Sequence, residues 1–155
     1  MRTIVLGLGN PILGDDGIGC WVAEELKQEI DVEEDSNRVD IEPFYRGGIS
    51  LMERLIGYDR ALIVDSIQGL GGKVGTIHRL SMDDLPTMTA DSPHDTSLKA
   101  ALELGHQLNA SLPGEILIFA VEIRYSTEFS ENLSAPVKAS IAPLKQMIRE
   151  ELEKT

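Results

Sequence analysis

Cysteine is nearly absent from this sequence: Cys20 stands alone. One thiol cannot close an internal disulfide, which fits a reducing compartment and predicts a cytoplasmic protein. Positive charge is scarce as well. Lys and Arg number 14 against 26 Asp and Glu, giving a net charge of −12 at pH 7. Nucleic acids and anionic membranes both select clustered positive charge, so neither is an expected partner. No apolar run approaches the roughly 20 residues that span a bilayer. The opening Met1-Arg2-Thr3-Ile4-Val5-Leu6-Gly7 reaches glycine too soon for a secretory signal peptide.

Familiar catalytic signatures are missing too. There is no His-Glu-x-x-His helix, no Gly-x-Ser-x-Gly elbow, no Cys-x-x-Cys pair and no Gly-Lys-Ser/Thr phosphate cradle. Gly7-x-Gly9 forms the first half of a dinucleotide fingerprint, but Ile12 stands where a third glycine belongs. Asp15 and Asp16 would also meet a pyrophosphate with like charge. A dinucleotide-dependent oxidoreductase is therefore a weak reading.

What remains is ordinary globular composition. The 155 residues are 42% hydrophobic and 26% charged, which predicts one domain over 1–155. Thr3 to Leu6 and Ala61 to Val64 read as buried strands, the first followed by a glycine loop to Gly19, the second ending at Asp65. Val39 to Phe44 and Glu115 to Ile123 add two more. Helices are expected around Trp21–Ile30, around Leu51–Ile56, from near Asp95, and over Ala135–Glu153, the last kinked or divided by Pro143. Asp31 to Asn37 reads as a solvated connection, and Ser81 to Pro93 as a long loop suspect for function. About ten residues separate Ala61–Val64 from Thr76–Leu80, too few for a parallel return, so the fourth strand should be an antiparallel edge. The expected fold is an α/β three-layer sandwich: a twisted, mostly parallel sheet of about five strands with helices on both faces.

Ligands in such folds bind beyond the carboxyl ends of the strands. If the first and third strands are neighbours, the Gly7–Gly19 loop and Asp65 flank one crevice, and the segment carrying His94 reaches the same edge. Asp16 by itself reads as a helix cap. Asp65 ends a buried strand and needs a partner or a metal. His94, at a helix start, is kept neutral by the helix dipole, as metal ligation requires. Together Asp16, Asp65 and His94 make a three-ligand, sulfur-free set suited to zinc, nickel or manganese. His78 and His106 read as surface or packing residues, and Cys20 as a small buried apolar one.

The opening Ile-Val-Leu-Gly-Leu-Gly-Asn-Pro-Ile-Leu-Gly-Asp-Asp-Gly-Ile-Gly closely resembles the hydrogenase maturation endopeptidases. The resemblance continues through Gly47-Gly48-Ile49-Ser50, Ala61 to Asp65, Pro93-His94-Asp95-Thr96-Ser97-Leu98 and the proline-bearing last helix. It implies an endopeptidase that clips a C-terminal extension from a nickel-iron hydrogenase large-subunit precursor after nickel insertion. It also implies metal binding by Asp16, Asp65 and His94, with Asp16 standing where many members carry Glu. The metal would be nickel, resident or supplied by the substrate, with zinc or cadmium able to substitute. The protein would be a cytoplasmic monomer whose partner is the large-subunit precursor. A chaperone that binds the metallated subunit without cutting it is the alternative.

Overall fold

A computed structural model describes residues 1–30, 39–45, 47–85 and 93–154, with 93–97 described by backbone only. Asp31 to Asn37 and the 86–92 part of the suspected loop lie outside the described residues. In chain order the elements are β1 (Thr3–Leu8), α1 (Ile18–Glu29), β2 (Val39–Phe44), α2 (Gly48–Leu55), β3 (Arg60–Ile67) and β4 (Ile77–Leu80). There follow α3 (Pro93–Gln107), β5 (Glu115–Glu122), α4 (Ala135–Ala139) and α5 (Ile141–Glu153).

The strands form one sheet in the order β2-β1-β3-β5-β4. The first four are mutually parallel, and β4 runs antiparallel to β5 at the edge, as the short β3–β4 spacing predicts. β1 and β3 are neighbours, so their carboxyl ends open onto one crevice.

Strand alternation sorts the core into two layers. Ile4, Leu6, Ala61, Ile63, Ile67, Ile118 and Ala120 pack with α2 and α3 residues such as Leu51, Leu55, Leu98 and Leu102. Val5, Leu62, Val64, Phe119 and Val121 pack on the other face with Ile18, Val22 and Leu26 of α1 and Leu144 and Ile148 of α5. Each Leu or Ile fully buried in this way contributes about 1.5–3 kcal/mol. Helices on both faces explain why the central strands read as unbroken apolar runs.

The final helix is divided, and the break falls at Ser140 rather than at the proline itself. Pro143 takes the third position of α5, where its missing N–H has no partner to lose. β3 continues past Asp65, because Ser66 and Ile67 stay paired with Val121 and Glu122. Asp65 therefore lies inside the strand instead of terminating it. Likewise Gly7 and Leu8 belong to β1, and Gly19 lies in α1, so the expected glycine loop is shorter than 7–19.

Candidate active site

The glycines of the opening motif act as contact points between segments. A Cβ on Gly7 would lie 1.9 Å from the Gly19 carbonyl oxygen, and one on Gly9 2.0 Å from that of Asp16. Only glycine lets β1 and the segment returning from it approach so closely. The return is a 3-10 turn, Gly14–Gly17, pressed against the carboxyl end of the sheet. Two glycines of the motif thus serve contacts within the protein itself. The same packing buries Asp16 to 2% exposure.

Asp16 does not cap α1. Gly17 holds the cap position, with no side-chain cap hydrogen bond. The Asp16 carboxylate turns instead toward the sheet: Ser66 Oγ donates to its Oδ1 at 2.6 Å, and the Asn10 N–H donates to its Oδ2 at 3.0 Å. The backbone N–H of Ser66 donates to Asp65 Oδ1 at 2.8 Å. Ser66 thereby joins the two carboxylates, its hydroxyl serving one and its amide the other. Alternation along β3 puts Asp65, with Ile63 and Ile67, on the α2/α3 face, while Ser66 shares the α1 face with Val64. The carboxylates therefore reach the sheet edge from opposite faces. Asp65 is 4% exposed. Ser66 and Asn10 escape sequence reasoning, because a serine inside an apolar strand carries no periodic signal.

Residue 94 occupies the second position of α3, in the layer that Asp65 faces. The His94 side chain lies outside the described residues. Among the described residues no three His, Cys, Asp or Glu side chains form a metal-holding group. The two described members of the trio do suit a divalent ion. They are buried carboxylates held by a hydroxyl and backbone amides, and oxygen donors with an imidazole match borderline and harder cations.

The neighbouring aspartate, Asp15, has a different task. Asp15 accepts from the backbone N–H and the hydroxyl of Ser134, both at 2.7 Å, and so ties the 14–17 turn to the start of α4. It is an anchor. Cys20, at 3% exposure, points its thiol toward the Gly7 and Gly9 carbonyls. Burial pushes the thiol up to about 12, and the nearby Asp16 and Asp65 charges add to the rise. That is the unreactive, packed cysteine expected from the sequence. His78 is only partly exposed, and its Nε2 stands 4.0 Å from Oε2 of the buried Glu122. Glu122 Oε1 accepts from the N–H groups of Gly69 and Gly71 at 3.1 and 2.9 Å, which holds the loop after β3.

Comparison with known proteins finds similarity over nearly the whole chain. The Hydrogenase 2 maturation protease of Escherichia coli K12 is 27% identical over 150 residues, covering 96% of this chain and 88% of that protein. Among solved structures, the hydrogenase maturating endopeptidase HybD from E. coli matches with a TM-score of 0.87 at 26% identity, covering 99% of this chain and 93% of its own. A NiFe hydrogenase maturation protease, HycI from Thermococcus kodakarensis KOD1, matches with a TM-score of 0.72 at 25% identity, again over 99% and 93%. The family model described as hydrogenase maturation protease covers residues 20–151, from the first turn of α1 to the last turn of α5. The sheet order, the buried carboxylate edge and this coverage lead to one assignment: the chain belongs to the hydrogenase maturation protease family.

Proposed function

We propose that this protein is an endopeptidase that removes the C-terminal extension of a nickel-iron hydrogenase large-subunit precursor once nickel is in place. The observation that carries the reading is the Asp16–Ser66–Asp65 link, which presents two buried carboxylates at the carboxyl edge beside the start of α3. The precursor's nickel is part of the substrate in this reading, and Asp16, Asp65 and His94 are the residues that meet it. A divalent ion held there would supply polarisation of a carbonyl or a more acidic water. The chain's own contribution is orientation. Ser66 and Asn10 fix both oxygens of Asp16, Ser66 fixes Asp65, and α3 carries residue 94 to the same edge. Asp16 is one methylene shorter than glutamate, and the close Gly9–Asp16 approach brings its backbone hard against β1. We take the working state to be a cytoplasmic monomer, since a charge of −12 opposes self-association.

The decisive experiment mixes the purified protein with nickel-loaded and nickel-free precursor and weighs both intact by mass spectrometry. The expected result is shortening of the loaded precursor alone, by one C-terminal peptide, and loss of that cleavage in Asp16→Ala. A loaded precursor that binds and keeps its full mass refutes the endopeptidase and leaves the chaperone reading. Zinc and cadmium titrations probe the ligand set directly: His94→Ala should abolish binding, and His78→Ala and His106→Ala should preserve it. Equal losses in all three would remove His94 from the set.

A further inference from the structure

Nine large hydrophobic side chains are exposed among the described residues, and their distribution is uneven. Six of them, Ile12, Trp21, Tyr45, Ile49, Leu70 and Phe129, lie on segments leaving the carboxyl ends of β1, β2, β3 and β5. The other three, Met1, Ile56 and Leu108, lie toward the opposite edge. Single exposed hydrophobics need no explanation, but their gathering along the one edge that holds Asp16 and Asp65 does.

These side chains are displayed by loops that are hydrogen-bonded in place. The Ser130 N–H donates to the Ile12 carbonyl at 2.8 Å and the Gly14 N–H to the Ser130 carbonyl at 2.8 Å, which sets Phe129 beside Ile12. Phe129 is 81% exposed in spite of that fixed backbone. Leu70 stands between Gly69 and Gly71, whose amides are both held by Glu122. Tyr45 directly follows β2, whose Ile41 packs in the same layer as α1, and Trp21 stands in the first turn of that helix. Aromatic and aliphatic groups on a preorganised surface are what the centre of a protein–protein contact is built from.

We propose that this apolar rim seats the folded body of the hydrogenase large-subunit precursor, so that the enzyme reads a protein surface as well as the tail it cuts. The inference rests on the endopeptidase reading for the identity of the partner. Two observations select that occupant over a second copy of this chain. The rim lies at the same end of the sheet as Asp16 and Asp65, so a copy seated on it would lie over the edge that a substrate has to reach. Two copies at −12 each would also repel. A substrate protein that presents its C-terminal tail to Asp16 and Asp65 must lie across these loops.

The test compares wild type with Phe129→Ser, Tyr45→Ser, the double variant, and Leu108→Ser on the opposite edge as control. Binding of nickel-loaded precursor is measured by interferometry, cleavage by mass spectrometry, folding by thermal melting, and association state by ultracentrifugation. The double variant should weaken binding and raise KM by at least about tenfold, with kcat near wild type and the melting curve unchanged. Leu108→Ser should change none of these. Unchanged binding in the double variant, or an equal loss in Leu108→Ser, overturns the rim. So does a wild-type dimer that Phe129→Ser dissociates, which would make the second copy the occupant. If wild type binds the precursor without cleaving it, the endopeptidase reading fails, while the tenfold loss of binding still supports the rim.

Discussion

The two edges of the sheet are built on opposite principles. At the amino edge, buried charge meets opposite charge. Arg60, on the first residue of β3, donates to the Glu151 carboxylate at 2.6 Å and to its backbone carbonyl at 2.7 Å, with both side chains about 4% exposed. Arg79 and Lys154 reach the other Glu151 oxygen. Nearby, the Arg2 N–H donates to Asp59 at 2.7 Å. At the carboxyl edge, the buried carboxylates of Asp16 and Asp65 are held by donors that include a hydroxyl and backbone amides. A guanidinium partner pairs a carboxylate's charge, whereas a hydroxyl or amide donor fixes the direction its oxygens face. The amino edge is closed with ion pairs, and at the carboxyl edge the described donors orient the carboxylates.

Substitutions on the two edges should therefore fail in different ways. The largest effect is expected for Asp65→Asn, with kcat/KM for the loaded precursor falling by about 10²–10³-fold while the melting curve stays close to wild type. Steady-state cleavage and thermal melts, run together, check both halves. A large loss of stability instead would mean that Asp65 works as the amino-edge ion pairs do. Arg60→Met should show the reverse pattern, losing about 3 kcal/mol of unfolding free energy in denaturant titration while keeping its cleavage rate. The loss falls at the low end for a broken buried pair, because Arg79 and Lys154 still serve Glu151.

Acid should sharpen the same contrast. Lys154, then Arg79, holds the Glu151 carboxyl below its ordinary value of 4.5, against the opposing effect of burial. A carboxyl lowered by folding stabilises the native state above its unfolded value, and that contribution is lost as pH falls through the folded value. Acid titration of wild type should show this loss, and Glu151→Gln should remove it.

Ser66→Ala is the substitution that can break the division, since one residue serves both packing and site. Removing its hydroxyl should cost about 1–2 kcal/mol, because Asp16 loses a buried donor, and should lower cleavage as well. Ser66→Thr should recover both if the hydroxyl position matters. Cys20 gives the smallest effect. Its thiol should resist alkylation at pH 8 in the native protein and react once the protein is unfolded. Above its unfolded value of 9.0 the raised native pKa should erode stability progressively up to about 12, and Cys20→Ala should abolish that alkaline loss.

The central strands were readable because burial on both faces writes an unbroken apolar run. The antiparallel edge was readable from spacing, and Asp16 and Asp65 from their places beside those runs. Other features depend on contacts between distant segments. Ser66 meets Asp16 across 50 positions, and Arg60 meets Glu151 across 91. Neither pair shares a local pattern. The extent of β3 beyond Asp65 follows from its pairing with β5, which a serine and an isoleucine do not announce. Gly7 and Gly19 were visible as turn formers, yet what requires glycine there is the approach of one backbone to another.

The contact between Asp15 and Ser134 spans 119 positions of the chain. During synthesis the opening turn emerges early but has nothing to close against until α4 has been made. At typical elongation speeds that delay is roughly 6–24 s. For that interval the carboxylate edge lacks one of its walls, and the sheet itself is incomplete until β5 has inserted between β3 and β4. The carboxylate edge is thus among the last parts to be assembled, so a truncated chain ending before α4 would carry the opening motif without the anchor that holds its turn in place.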